Sequence, residues 1–217
     1  MTRNIRIVPA ILTDNPQTLE SMVRQSATFT DYVQIDIMDG QFVPSHSVTW
    51  QQLSSIPIGI DWEAHLMINK PEEQLKHFKQ AGAGKVIFHY EAVPDPLKVI
   101  SESRSLDLSV GIALNPETST DSVLPFTEDL DSVLFMAVHP GFYGAKFIPE
   151  VLEKIAALRR AKPDLKIGID GGIKESNISS IAKSGVDEIC VGSAIFLQPQ
   201  PAESYRKLLA IANEEST

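Results

Sequence analysis

Apolar positions along the chain fall into two kinds of pattern. Eight short runs rich in Val, Ile, Leu and Phe, at residues 6–12, 32–38, 59–67, 85–90, 108–114, 132–138, 166–170 and 188–192, read as strands. Between them lie segments with apolar residues every three or four positions, at 17–27, 71–81, 96–105, 149–161, 176–184 and 201–213, with less regular ones near 49–54 and 120–125. Pro71, Pro149 and Pro201 stand where a first helical turn leaves its amide unpaired, and so mark helix starts. This alternation predicts βα units around a parallel sheet. Eight repeats of about 25 residues suit a closed (β/α)8 barrel of the TIM type, whereas a doubly wound open sheet would show fewer strands. No G-x-G-x-x-G follows the first run, which argues against a dinucleotide-binding unit. No linker, charge block or low-complexity tract divides the 217 residues, so an α/β chain with one barrel domain over 1–217 is expected.

In such a barrel the C-terminal strand ends build the site, and side-chain alternation tells what they present. Gln34, Asp36 and Met38 share the inward face of the second run, and Glu63, His65 and Met67 share that of the third. Asp170 leaves the seventh run just before Gly171 and Gly172. Taken singly, an aspartate capping a loop or a hydrogen-bonded core histidine is the plainer reading. Buried carboxylates, however, need a cation or a full set of hydrogen bonds. Asp36, His65 and Asp170 reach one mouth from three strands, a donor set suited to Zn²⁺, Fe²⁺, Mn²⁺ or Co²⁺. A second group of residues bears glycine: Gly141 and Gly144 after strand six, Gly171 and Gly172 after strand seven, and Gly192 with Ser193 after strand eight. Backbone amides at such turns approach an anion closely, and barrel enzymes often hold phosphate near strands seven and eight.

Charge narrows the partners. With 28 acidic and 19 basic side chains the formal net charge is −9, which argues against nucleic acid or an anionic membrane as the main partner but leaves a small anion open. No apolar run approaches the ~18 residues of a membrane span, and the charged first residues lead into no signal-like stretch. The single cysteine, Cys190, lies in an apolar run and reads as a buried thiol in a cytoplasmic protein.

Several segments, in order, resemble one family. They are Val8-Pro-Ala-Ile-Leu12, Ile35-Asp-Ile-Met-Asp-Gly-Gln-Phe-Val-Pro44, His65-Leu-Met67, His89-Tyr-Glu-Ala92, Ile112-Ala-Leu-Asn-Pro116, His139-Pro-Gly-Phe142, Ile169-Asp-Gly-Gly172 and Val191-Gly-Ser-Ala-Ile195. Together they are similar to the ribulose-phosphate 3-epimerases, ribulose-phosphate-binding barrels. The resemblance implies a metal-dependent epimerase that inverts carbon 3 of a ketopentose phosphate, interconverting D-ribulose 5-phosphate and D-xylulose 5-phosphate through a cis-enediolate. It implies that Asp36 and Asp170 are both metal ligands and the acid/base pair, with His65 a further ligand. Met38, Met67 and Met136 would pack around the reacting carbons, and Gly144, Gly171, Gly172, Gly192 and Ser193 would cradle phosphate. The implied partners are a sugar phosphate and further copies of the chain, as a homo-oligomer.

The chain also departs from that family. Gln34 stands where the family has a metal-binding histidine, Ala10 where it has a serine that holds substrate oxygens, and Glu63 where it usually has an aspartate. Tyr143 and Ala145 alter the loop after strand six. Gln34 is expected to stand as a fourth group at the metal, either as a weak ligand through its amide oxygen or behind the ligands, with a shift toward harder ions, and His139 is a second candidate for the ligand place. The departures leave two alternatives: an epimerase of another ketose phosphate, or a catalytically weak sugar-phosphate-binding paralogue. Aldol-type and decarboxylating relatives usually carry a lysine in the mouth, and none ends strands two, three or seven.

Overall fold

Each of the eight apolar runs becomes a strand in the computed structural model, which describes residues 4–141 and 145–214. The strands are β1 (Arg6–Ile11), β2 (Tyr32–Met38), β3 (Asp61–Met67), β4 (Lys85–His89), β5 (Ser109–Leu114), β6 (Ser132–Met136), β7 (Lys166–Asp170) and β8 (Glu188–Val191). They pair in parallel in chain order and close into a barrel through β1 and β8, with Arg6 opposite Glu188 and Pro9 opposite Val191. The expected TIM-type architecture is therefore the observed one. The helices are α1 (Pro16–Ser26), α2 (Trp50–Leu53), α3 (Leu75–Gln80), α4 (Pro96–Ser105), α5 (Val151–Ala161), α6 (Ile178–Lys183), α7 (Ser193–Phe196) and α8 (Pro201–Glu214).

Local chemistry starts several of these helices. Asn15 caps α1 by accepting from the Thr18 amide, and Asp95 caps α4 by accepting from the Lys98 amide, each followed directly by a proline. Elsewhere the boundaries differ from the sequence expectation. The 71–81 segment is not one helix: Pro71–Glu73 forms a 3₁₀ turn whose carbonyl at Pro71 accepts from Gln74, and α3 starts afresh at Leu75. Pro149 lies in a turn before α5 rather than inside it. The 120–125 segment becomes two 3₁₀ turns, Thr120–Ser122 and Leu124–Phe126, because Pro125 has no amide hydrogen to continue a helix.

Alternation along the strands makes two apolar layers. Side chains such as Ile35, Leu66, Phe88 and Phe135 face the helices and pack against Leu19, Phe78 and Ile155 in the main core. Val8, Ile87, Leu134 and Met136 fill the barrel itself. Beneath them the barrel floor is charged. Lys85 Nζ lies 2.9 Å from Glu63 Oε2 and 3.7 Å from Glu188 Oε2, and the Tyr32 hydroxyl donates to Glu63 Oε2 at 2.9 Å. Burial, reinforced by Glu63, pushes the Tyr32 hydroxyl far above its ordinary pKa. Glu63 thus shares the inward face of His65 but belongs to the floor, not the mouth.

At the other end, the Ser47 hydroxyl pins the tip of β2: it accepts from the Met38 amide at 2.9 Å and donates to the Asp36 carbonyl at 2.8 Å. Among the described residues no helix is long and apolar enough to cross a membrane.

Candidate active site

The mouth of the barrel brings together most of the residues expected there. One cavity is lined by Asp36, His65 and Asp170; by Met38, Met67, Met136 and Ala10; and by Gly141, Gly171, Gly172, Gly192 and Ser193. Gly144 and Tyr143 lie outside the described residues. Asp36 and Asp170 come from strands separated on the ring by β1 and β8, so their carboxylates enter from different sides. One donor atom from each of Asp36, His65 and Asp170 lies within 4.8 Å of the others. His65 Nδ1 is 3.0 Å from Asp36 Oδ1 and 3.6 Å from Asp170 Oδ2. Two acceptor-rich carboxylates and an imidazole nitrogen at that spacing fit a divalent cation held by three protein ligands, with room for substrate oxygens beside it.

Burial sets the protonation of this cluster. Desolvation, followed by the charge of Asp36, raises Asp170 to about 7. For His65 burial favours the neutral ring, but the hydrogen bond and charge of Asp36, then Asp170 and Glu63, outweigh it and leave its pKa raised. On its far side His65 Nε2 meets His89 Nε2 at 3.0 Å. Burial, the largest influence, lowers His89 to about 4, so this second ring is neutral at pH 7. Its Nδ1 lies 3.4 Å from Glu91 Oε2, a charge–dipole contact rather than a well-formed hydrogen bond. Glu91 is itself held by the Asn115 amide at 2.8 Å and by the Thr118 hydroxyl. Without a cation His65 Nδ1 donates to Asp36; with one at the aspartates, a ring that donates from Nε2 toward His89 would instead present the Nδ1 lone pair.

The raised Asp170 pKa carries a stability prediction for metal-stripped protein. A folded carboxyl at about 7 against an unfolded one at 3.8 contributes stability that is full below about pH 4 and is lost as pH rises through 7. Asp170→Asn abolishes that titration. In the presence of a chelator, the variant's melting temperature is expected to gain on the wild type's between pH 4.5 and 7.5. A wild-type-minus-variant difference that stays flat across this range would contradict the environment described here.

Of its two expected places, Gln34 takes the one behind the ligands. It is fully buried beneath the cavity, and its Nε2, not its oxygen, faces the carboxylates: it donates to Asp36 Oδ1 at 2.9 Å and Asp170 Oδ2 at 2.8 Å. Ionised carboxylates only accept, so above the Asp170 pKa they draw the amide hydrogens and turn the oxygen away. The expected fourth ligand oxygen is thus not presented. His139 does not take its place, because it is exposed and its Nδ1 lies 3.1 Å from Glu117.

The glycine turns have steric reasons for their composition. Gly171 has φ +101° and a Cβ there would fall 2.4 Å from Val138 Cγ2; Gly172 has φ +67° and its Cβ would fall 3.0 Å from Phe147. Asn177 braces this loop, donating from Nδ2 to the Gly172 carbonyl at 3.0 Å and accepting from the Lys174 amide at 2.8 Å. Lys174 is the residue the sequence reading missed. Among the described residues it is the one Lys or Arg that lines the cavity, beside the glycine turns. Its signal was weak because it lies in a loop four positions beyond Asp170, where alternation no longer applies.

Fold and site together define a (β/α)8-barrel enzyme with its chemistry at the C-terminal mouth. More narrowly, the chain belongs to the ribulose-phosphate 3 epimerase family, whose sequence pattern matches residues 6–196. It is 33% identical over 204 residues to a ribulose-phosphate 3-epimerase of Schizosaccharomyces pombe, covering 91% of this chain and 90% of that protein. It is 34% identical to the ribulose-phosphate 3-epimerase, cytoplasmic isoform, of Oryza sativa subsp. japonica, covering 91% and 90%. Among solved structures, a 3-hexulose-6-phosphate synthase from Salmonella typhimurium has the same fold, with a TM-score of 0.72 at 18% identity, covering 97% of this chain and 100% of that one.

Proposed function

We propose that this chain inverts carbon 3 of D-ribulose 5-phosphate to give D-xylulose 5-phosphate, and the reverse, with Asp36 and Asp170 as the acid/base pair. The convergence of these two carboxylates on one cavity with His65 carries the reading. Inversion needs a base on one face of the carbon and an acid on the other. One aspartate takes the C3 proton, leaving a cis-enediolate, and the other delivers a proton to the opposite face; in the reverse reaction they exchange roles. Asp36, His65 and Asp170 are the residues that would hold a divalent ion. When bound, such an ion supplies Lewis-acid polarisation of the ketone and stabilisation of the enediolate charge. Zn²⁺, Fe²⁺, Mn²⁺ and Co²⁺ all suit this donor set. Met38, Met67 and Met136 wall the cavity with apolar surface and keep bulk water from exchanging the proton in transit. The amides at Gly171, Gly172 and Gly192, with Ser193 and Lys174, supply the phosphate end.

The test is proton NMR of D-ribulose 5-phosphate in D₂O, with protein as isolated, with Mn²⁺ or Zn²⁺, and with chelator. Metal-dependent exchange at C3 with formation of xylulose 5-phosphate is expected; a folded protein that gives no exchange with any metal refutes the proposal. Ala10 favours one second reading. The absent hydroxyl is worth roughly 0.5–1.5 kcal/mol of substrate contact, so a ketose phosphate with a different hydroxyl pattern would lose less here than in the family at large. Running the same exchange assay on other ketose phosphates separates the two.

Lys174 yields a further prediction. Lys174→Ala is expected to raise KM for the sugar phosphate about tenfold, the loss of roughly 1.5 kcal/mol from one charge-assisted contact, while kcat stays within about threefold. An unchanged KM would remove Lys174 from the phosphate site. A cytoplasmic location is supported by the unpaired, buried Cys190 and by the label of the rice relative. Light scattering checks the homo-oligomer that family membership suggests.

A further inference from the structure

We infer that Gln34 acts as a hydrogen-bonding clamp on the two mouth aspartates, so that metal binding works against this residue instead of being assisted by it. The inference rests on the reading of Asp36, His65 and Asp170 as a metal site.

The argument begins with the capacity of a side-chain amide: two N–H donors on nitrogen and an accepting oxygen. At Gln34 all of it is committed. Nε2 donates to Asp36 Oδ1 at 2.9 Å and to Asp170 Oδ2 at 2.8 Å, while the Cys190 thiol donates to Oε1 at 3.2 Å. Turning the amide over would set its oxygen at those distances from two carboxylate oxygens, acceptor against acceptor, and would leave two N–H groups facing one sulfur. The side chain is 0% exposed, so no water can repair the mismatch. Neighbouring residues offer the oxygen little: Ala10, its register partner on β1, has no hydroxyl, and His65 Nδ1, 3.5 Å from Nε2, is already engaged with Asp36 Oδ1 at 3.0 Å. Cys190, on the strand beside Asp170, holds the oxygen on the far side.

Two carboxylates this close repel each other in the absence of a cation. The Gln34 amide hydrogens lie where they relieve that repulsion, and they relieve it in the metal-free protein. A cation arriving at the same oxygens does that work again and meets the positive end of the amide dipole. Metal affinity is the difference between the two states, so a group that stabilises the metal-free state more than the metal-bound state weakens binding. A ligating side chain would have the opposite effect. Deleting Gln34 function therefore changes metal affinity in a direction that identifies its role.

The experiment is calorimetric titration of the full chain with Zn²⁺ and with Mn²⁺, comparing wild type, Gln34→Leu and Gln34→His. Gln34→Leu is expected to bind both ions about tenfold more tightly than wild type, and Gln34→His more tightly still, within the ten- to hundredfold range over which groups around a metal site act. Tighter binding by Gln34→Leu supports the clamp. Equal or weaker binding by Gln34→Leu, with site-stoichiometric binding by the wild type, overturns it and leaves the metal site standing. Absence of site-stoichiometric binding in all three proteins overturns the metal site and the clamp together. If Gln34→Leu does not fold, proton-exchange NMR of the Gln34 side-chain amide in metal-free wild type decides. Protection of both amide hydrogens, lost on adding Zn²⁺, supports the clamp; rapid exchange before metal is added overturns it.

Discussion

Asp36→Asn and Asp170→Asn are each expected to lower the rate of epimerisation by at least about 10³-fold, while the protein remains folded. Asparagine keeps the shape of aspartate but can neither accept nor deliver the C3 proton, and positioned acid–base groups contribute roughly 10²–10⁴-fold. Loss of one metal ligand adds to the deficit. The two variants should also differ from each other. Each retains one carboxylate, on one face of the carbon, so each can still exchange the proton of one epimer with D₂O without inverting it. One variant should label ribulose 5-phosphate and the other xylulose 5-phosphate, at slow rates and with little interconversion. Epimerisation by either variant within tenfold of wild type would sink the two-aspartate mechanism; labelling of both epimers by one variant would show that its remaining carboxylate serves both faces.

The second large effect concerns stability. At the barrel floor Glu63 is 1% exposed and receives both the Lys85 ammonium and the Tyr32 hydroxyl. Glu63→Leu would leave Lys85 buried with only Glu188, 3.7 Å away, as a counter-charge. Removing one partner of a buried ion pair costs about 3–5 kcal/mol, because the other charge loses its compensation. In a chain of this size that amounts to a fall in Tm of roughly 6–20 °C. Replacing both residues, as Glu63→Leu with Lys85→Met, removes the charge along with its partner and should restore most of the loss. Urea unfolding of the three proteins measures this. A single variant within 1 kcal/mol of wild type, or a double variant worse than the single, would show that the floor is not an interdependent charged layer.

Much of this architecture was legible because a pleated strand alternates without exception over a few residues. That period placed Asp36 beside Met38 and His65 beside Met67 on the inward face, and the barrel topology then brought Asp170 to the same mouth. Segment edges were less legible where proline changed the hydrogen bonding. Pro71 opens a 3₁₀ turn, not a long helix, and Pro125 leaves two short turns between β5 and β6. Within the site, two features could not be read from residue types. An amide carries a donor and an acceptor on one carbon, so the letter Gln at position 34 does not say which faces the aspartates; only the surrounding carboxylates and Cys190 decide it. Lys174 was missed for a different reason, since a loop residue has no period to orient it. His89 and Glu91 were visible as a motif, but their contact with the far side of His65 depends on β3 and β4 lying side by side.

The closure of the ring has a consequence for biosynthesis. β1 finds its second neighbour only in β8, nearly the whole chain later, and the Asn213 side chain of α8 hydrogen-bonds both the amide and the carbonyl of Ile5, just ahead of β1. As the polypeptide leaves the ribosome, its earliest strand therefore waits with one side unpaired until the last strand has emerged. During that interval the nascent chain is an arc with two sticky rims, the form in which parallel sheets recruit the wrong partner. The charged floor residues Glu63 and Lys85 are made early and Glu188 late, so their burial as a set also awaits the final seam. Demand for chaperones should accordingly last until β8 has emerged and the seam has closed.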